Sequence, residues 1–440
     1  MPMQRLLGCD VCALAAARDN RHSGRMHSSS GNPLRHRAFA LILIGSLLSN
    51  FGNAIESVGA AWHLTANGQA ADVVALVQTA INLPIMLLAL PAGAWADMFD
   101  RRSIMLAAQT GMFLISLLLL LLAASDAASP ALIIGLTALL AAGVACFNPA
   151  MAASIGSSVP RAQLAAAVAL NILAFNVARS FGPALGGAIV AVGGAQAAFA
   201  ANAASYLMVI LVLWRWPRTD APAAPRRGLL PVIVEGVLFA GRSREIRTIL
   251  LRALTFTSTG AAAWALMPLV ADEMLGEGST IFGLLLGALG LGAVAGAACS
   301  TWFRRRYSAE QIIRFAGIIY GMACLGVALQ PGLVPMLLLL VIAGAGWVQA
   351  LSGFSVAGQL WAPREVVGRV VAIVSSLTFG GIALGSWLWG HFAESYGVAA
   401  ALMTSGIAMV ALPVIGLLLP MPAHEAPQDA AGSPSPEQRR

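Results

Sequence analysis

The sequence predicts an all-α polytopic membrane protein of twelve spanning helices arranged as two six-helix, pseudo-symmetric bundles, and three observations carry that prediction. Of its 440 residues 58% are hydrophobic and only 10% are charged, whereas a soluble globular domain is about 25% charged. The apolar residues fall into about twelve runs, each near the roughly 20-residue length that crosses a bilayer. One arginine- and proline-rich break divides those runs six and six.

The elements follow in order. Residues 1–37 are a polar, basic lead-in to the first span, expected on the cytoplasmic side. Within it Met26 opens the segment M-H-S-S-S-G-N-P-L-R-H-R, and a start there would leave residues 1–25 outside the protein. The first apolar run is too long for a cleavable signal peptide and lacks a small-residue cleavage site. A first bundle is expected over 38–214, with spans near 38–65, 72–96, 103–124, 130–156, 163–192 and 195–214. Residues 215–247 carry Arg215, Arg218, Arg226, Arg227, Arg242, Arg244 and Arg247 with prolines 217, 222, 225 and 231. That composition cannot enter the bilayer and reads as a cytoplasmic linker whose second half suits an amphipathic surface helix. A second bundle is expected over 248–420, with spans near 248–271, 279–303, 310–329, 333–360, 366–390 and 397–420. Residues 421–440, rich in Pro, Ala, Ser and charge, are expected to be a disordered cytoplasmic tail.

Arginine placement sets the orientation. With both termini cytoplasmic, every arginine except Arg179 lies in or beside an inside segment, while the outside loops hold Asp72, Asp126, Asp272, Glu273, Glu277 and Glu394. This is the positive-inside bias of a multi-pass protein. It also accounts for the basic balance without a nucleic-acid partner. The halves form a weak repeat: Gly93 and Gly296 each precede a charged turn, and P-R-A-Q-L-A at 160–165 parallels P-R-E-V-V-G-R at 363–369. Alternating-access carriers use such a duplication to hold a solute near the midplane.

Enzymatic chemistry has no foothold. The chain contains no G-x-x-x-x-G-K-[ST] phosphate loop, no nucleophile motif and no clustered His/Cys set, so no cofactor or metal is expected. Cys9 and Cys12 form a lone C-x-x-C without a second pair, and Cys146, Cys299 and Cys324 lie in apolar runs as small packing residues.

Four constellations remain. G-A-W-A-D-M-F-D-R-R at 93–102 joins two spans by a short hairpin. In it Asp97, Asp100, Arg101 and Arg102 place four charges at the water's edge, and Gly93 admits a close backbone. It reads as a charged latch or, equally, as a positive-inside anchor with its counter-charges. R-S-F-G-P-A-L-G-G puts Gly182, Pro183, Gly186 and Gly187 inside the fifth span, where they point to a kink and close helix contact. Arg179, which opens that motif, costs roughly 2.5–3.5 kcal/mol within a span and is by default functional or paired. Its competing reading is snorkelling to the inner surface. Glu56 is the one carboxylate well inside the apolar runs, preceded by Asn50 and Asn53. Desolvation favours the neutral form of a buried carboxyl, so Glu56 is the proton-coupling candidate; a carboxylate satisfied by a neighbour is the alternative. Asn53, Asn148, Trp264 and Gln349, with Trp347, are candidates to line a cavity with few charges, suited to an amphiphilic or aromatic solute. Scattered amides of this kind also serve as helix-to-helix glue.

The first hairpin resembles the signature loop of the major facilitator superfamily. The stretch S-N-F-G-N-A-I-E-S-V-G-A-A-W through the hairpin, with F-N-P-A-M, G-P-A-L-G-G, G-A-G-W-V and G-Q-L-W-A-P-R-E-V-V-G-R, is similar to its enterobactin-exporter-like branch of transmembrane secretion effectors. The resemblance covers about 35–420 and implies a proton-driven exporter of the drug:proton antiporter type. By that resemblance the acid at Asp97 bonds to the opposite half, Arg101 supports it, and the pair stabilises the outward-open state; Gly182, Pro183, Gly186 and Gly187 match an antiporter-associated motif. Met98 stands where the superfamily often has arginine and Asp100 where it often has glycine. The expectation is a monomer in the bacterial inner membrane, exporting a siderophore or drug-like small molecule, with an importer, a flippase or a non-transporting scaffold as alternatives.

Overall fold

The computed structural model describes residues 32–125, 127–216, 229–276, 278–362 and 367–421, and all regular structure in them is helical. The lead-in before residue 32, Cys9 and Cys12, the proline-rich part of the linker, Asp126, Glu277 and the tail after Met421 lie outside the described residues.

The first helices are α1 (Arg37–Ala66), α2 (Ala71–Met98), α3 (Arg101–Ala124) and α4 (Pro130–Ser158). A continuous stretch of 52 residues follows, Leu164–Arg215. At 1.5 Å per residue it is more than twice as long as the roughly 30 Å hydrocarbon core. Gly193 and Gly194 leave helical geometry, Gly194 at φ +67°, where a side chain would be strained. They fold the stretch into two crossings, α5 (164–192) and α6 (195–215). Then come the linker helix α7 (Leu229–Arg242) and α8 (Arg244–Ala265), α9 (Ser279–Arg306), α10 (Ala309–Ala328), α11 (Leu333–Trp361), α12 (Val367–Tyr396) and α13 (Val398–Leu418). Among the described residues there are 11 span-length apolar helical segments; because one of them crosses twice, the chain passes through the membrane twelve times.

Local chemistry sets several boundaries. α8 begins at Arg244, ahead of the expected 248, because the Ser243 hydroxyl accepts from Ile246 N at 3.2 Å and caps it. Pro268 and the π-turn Val270–Met274 end that span. In α10, Ser308 and Gln311 form a reciprocal capping box.

Successive helices run in opposite directions, so their ends form two faces. One carries Arg101, Arg102, Arg161 and Arg304 to Arg306 and is called basic; the other carries Asp72, Asp272, Glu273 and Glu394 and is called acidic. In the first bundle α1 packs on α5 and α6, α2 on α4, and α3 on α4 and α6; in the second, α9 packs on α11, α8 on α12, and α10 on α11 and α13. Between bundles α2 lies along α12 and α5 along α9. The second and fifth crossings of each half therefore pair reciprocally, as a pseudo-two-fold axis requires. The linker helix α7 touches both α2 and α12.

Arg252 of α8, 6% exposed, pairs with Glu310 of α10, whose other oxygen accepts from Arg314 Nε at 2.5 Å. Glu310 also accepts from Met421 N at 2.8 Å, and Arg314 donates to Gly416 O at 3.1 Å. The cluster ties α8, α10 and the end of α13 together at the basic face. Removing one partner of a buried ion pair costs about 3–5 kcal/mol because the other charge stays behind. Glu310→Gln should therefore lower the thermal midpoint in detergent by several degrees, with Glu310→Asp falling between; equal midpoints for all three proteins would mean the cluster is solvated.

Candidate functional site

The bundles close against each other toward the acidic face. Ala71 N donates to Glu394 Oε2 at 2.8 Å, Thr79 Oγ1 to Ala383 O at 2.9 Å, and Ser279 Oγ to Gly187 O at 3.2 Å. The rings of Trp62 and Phe282 stack with centroids 6.3 Å apart. Small residues make the approach possible. A Cβ on Gly187 would stand 2.9 Å from Gly283 Cα and still closer to the Ser279 carbonyl oxygen. One on Gly283 would meet Gly187 Cα at 2.9 Å, and one on Gly290 would meet Arg179 O at 2.9 Å. This seam runs from the acidic end of α5 to its midpoint, and from there Gly292 and Gly296 of α9 face α11 instead. Gly182 and Gly186 of the same motif face α1, with Ala54 Cβ 2.6 Å and Ile55 Cα 3.0 Å from the added carbons. Pro183 is buried, its carbonyl against Gly283.

Toward the basic face the helices present open surface. Asn148, near the middle of α4, is exposed, as are Ala152 and Gly156 on the same face. Val168, Ile172 and Leu173 on the basic half of α5 are also exposed.

The 93–102 hairpin is held to its own bundle. Arg101 Nη1 donates to Ala153 O of α4 at 3.1 Å. Arg102 donates to Leu213 O at 2.9 Å, which also accepts from Trp216 N, and to Trp214 O at 3.0 Å, so it caps the last carbonyls of α6. Asp100 caps α3, accepting from Ser103 N at 2.9 Å and Ser103 Oγ at 2.6 Å. Partial burial pushes the Asp100 carboxyl up, but the Ser103 and Arg102 hydrogen bonds and the Arg102 charge outweigh it and hold the group below its ordinary value. The cap is thus fully present above the usual carboxylate range and is lost as pH falls through the lowered value. Asp100→Ala should cost about 1 kcal/mol near neutral pH, seen as a lower thermal midpoint that converges with the parent's in acid; a gap unchanged in acid would disprove the cap. Gly93 meets open space, with no atom within 4 Å of an added Cβ. Asp97 lies in the last turn of α2, and its side chain is outside the described residues.

Glu56 is 5% exposed and accepts from Thr137 Oγ1 of α4 at 3.2 Å. Beside it Tyr206 donates to Asn53 Oδ1 at 2.5 Å and accepts from Asn202 at 3.3 Å. Neither ion pair among the described residues includes Glu56. This network sits inside the first bundle, between α1, α4 and α6. Thr137, Tyr206 and Asn202 are not singled out by the sequence: Thr137 is isolated in an apolar run, and Asn202, Ser205 and Tyr206 share one without any charge to mark them.

Arg179 stands near the midpoint of α5 and reaches across to the second bundle, its guanidinium carbon 5.1 Å from the ring centroid of Trp264. That is a cation–π contact, and it is not snorkelling to the basic face. Trp264 leads into an aromatic wall: Trp347 is 6.2 Å away, and Phe256 and Tyr320 lie 5.6 and 5.3 Å from Trp347. The indole nitrogens of Trp264 and Trp347 are buried without a hydrogen-bond partner. Gln349 is 8% exposed and donates to Gly296 O at 3.2 Å, so it joins α11 to α9 inside the second bundle. A small crevice within that bundle, bordered by Arg252, Phe256, Arg314 and Phe354, lies away from the space between the halves. Among the described residues no group of His, Cys, Asp and Glu could hold a metal ion.

Residues 28–439 match the family model described as transmembrane secretion effector. The multidrug efflux pump Tap of Mycolicibacterium fortuitum is 29% identical over 402 residues, covering 86% of this chain and 95% of Tap. The staphyloferrin A transporter of Staphylococcus aureus is 25% identical over 377 residues, covering 84% of this chain and 93% of that protein. A bacterial homologue of the human lysosomal transporter Spinster, solved inward-facing and unoccupied, superposes with a TM-score of 0.68 at 17% identity, over 89% of this chain and 96% of that one. At that identity the superposition speaks to the fold.

Proposed function

This chain belongs to the transmembrane secretion effector family of major facilitator transporters, and from that premise we propose that it exports a small hydrophobic or amphiphilic compound across the bacterial inner membrane in exchange for protons. The basic face is cytoplasmic in this reading and both termini lie inside. The observation that carries it is the arrangement of two bundles sealed at the acidic face by the α5–α9 glycine seam, with Asn148 exposed on the basic half of α4. Such a shape is one of the two end states of a rocking carrier. The names of the relatives, a multidrug efflux pump and a siderophore transporter, support a siderophore- or drug-like cargo and the outward direction. The proton gradient supplies the energy, no cofactor takes part, and the monomer is the working unit.

The hairpin acts in the opposite state. When the basic face closes, Asp97 bonds to the second bundle, Arg101 supports it, and Gly93, open here, receives the approaching helix. Asp97→Asn should then leave the protein in the membrane and reduce efflux to background; wild-type efflux would remove the latch from the mechanism. The reading as a whole is tested in everted vesicles with an acidified lumen, loaded with a pH-sensitive dye. A compound panel should contain members that discharge the gradient only when the protein is present. A panel drawn from siderophores and drugs with no such member, at verified protein levels, would overturn proton-coupled export.

A further inference from the structure

The membrane-embedded charge that the proposed cycle leaves without a task is Arg179. A guanidinium at the middle of a span is held there for a reason, normally a counter-ion. The ion pairs among the described residues, Arg252–Glu310 and Arg314–Glu310, are both at the basic end of the second bundle. Glu56, the other ionisable group deep in the first bundle, is engaged with Thr137 on α4. What Arg179 does have is the Trp264 ring at 5.1 Å, contributed by the opposite bundle. A guanidinium resting against an aromatic face keeps its edge N–H groups for a planar oxyanion, which it grips with two parallel hydrogen bonds. At the same point the indole N–H of Trp264 has no acceptor. Behind it Trp347, buried at 1% exposure and 6.2 Å away, backs the Trp264 ring, which is the apolar surface the site offers.

We propose that Arg179 and Trp264 form a substrate subsite for an organic anion, an aromatic carboxylate by preference. The carboxylate accepts from the Arg179 guanidinium edge and from Trp264 Nε1, and the flat apolar part lies against the Trp264 indole. The subsite draws one wall from each bundle, so it exists in full only while the acidic-side seam holds Arg179 and Trp264 together. Rocking the bundles apart at that side would separate the cation from its ring and weaken the grip on the anion where release is needed.

The inference rests on the transport reading and names its cargo class, but its test uses no gradient. Full-length protein in nanodiscs is titrated with three probes of one shape: 1-naphthoate, neutral 1-naphthamide and cationic 1-naphthylmethylammonium. The wild type should bind 1-naphthoate about 10-fold or more tightly than the amide, with the ammonium weakest. Arg179→Gln should reduce that preference to about 2-fold or less while leaving amide binding in place, and Arg179→Lys should restore part of it. Trp264→Phe, which keeps a ring but removes the N–H, should weaken naphthoate more than the amide. Absence of naphthoate binding to the wild type, equal binding of acid and amide, or a preference that survives in Arg179→Gln would each overturn the proposal. Proton-driven export can fail in vesicles while the anion preference persists in nanodiscs, or the reverse, so the two readings fail separately.

Discussion

Gly187→Val is expected to abolish transport without removing the protein from the membrane. The carbon added at Gly187 would sit 2.9 Å from Gly283 Cα and closer still to the Ser279 carbonyl, both backbone atoms of the opposite bundle that no rotamer change can move aside. Valine adds two further methyl groups to that clash. Overpacking of this kind costs about 1–3 kcal/mol, and rigid backbone on both sides puts this site at the upper end. The strain falls on the state closed at the acidic face and disappears when the bundles part there. A difference of about 3 kcal/mol shifts the two-state balance by roughly 100-fold, which strands the carrier open to the acidic side. In a cysteine-free background, a cysteine at Phe282, now covered by Trp62, should react with an impermeant maleimide added from that side in Gly187→Val and resist it in the parent. Gly135→Ala, a helical glycine with no atom within 4 Å of its added carbon, is the matched control. Normal efflux with a protected Phe282 position would show that the seam yields and does not set the conformational balance.

The fold was legible because its determinants are local or additive. Run lengths mark the spans, the break expected between 192 and 195 falls on the Gly193–Gly194 turn, and arginine placement sorts the ends into two faces. The glycine motif of α5 was legible as a site of close approach, because no other residue allows backbone against backbone. Which helix each glycine meets was not: Gly182 and Gly186 face α1, whereas Gly187 faces α9, and a rotation of about 100° per residue decides between them. Long-range pairings were hidden for the same reason. Arg252 and Glu310 come from separate spans, and each taken singly reads as one more charge near the basic face. Arg179 and Trp264 were both singled out, yet their meeting across the bundles depends on the pseudo-two-fold packing, which a one-dimensional pattern does not contain. Gln349 reads as a cavity amide until packing turns it onto the Gly296 carbonyl.

Glu56→Gln should uncouple the carrier from the proton gradient while preserving its fold. The amide has nearly the same shape as the carboxyl, and its oxygen can still accept from Thr137 Oγ1, the 3.2 Å contact that anchors the side chain. What it loses is the exchangeable proton. With Glu56 only 5% exposed and engaged with a hydroxyl, not a cation, its charge state should follow access to one face or the other as α1 moves with its bundle. In everted vesicles the variant should lose gradient-driven accumulation by about 10-fold or more yet retain substrate-for-substrate exchange, which needs the rocking motion but no net proton transfer. A carboxyl that merely supports packing predicts something else, since both activities would then fall together and the thermal midpoint with them. Driven accumulation equal to the parent's, with the same dependence on the imposed gradient, would retire Glu56 and direct the search to Asp97.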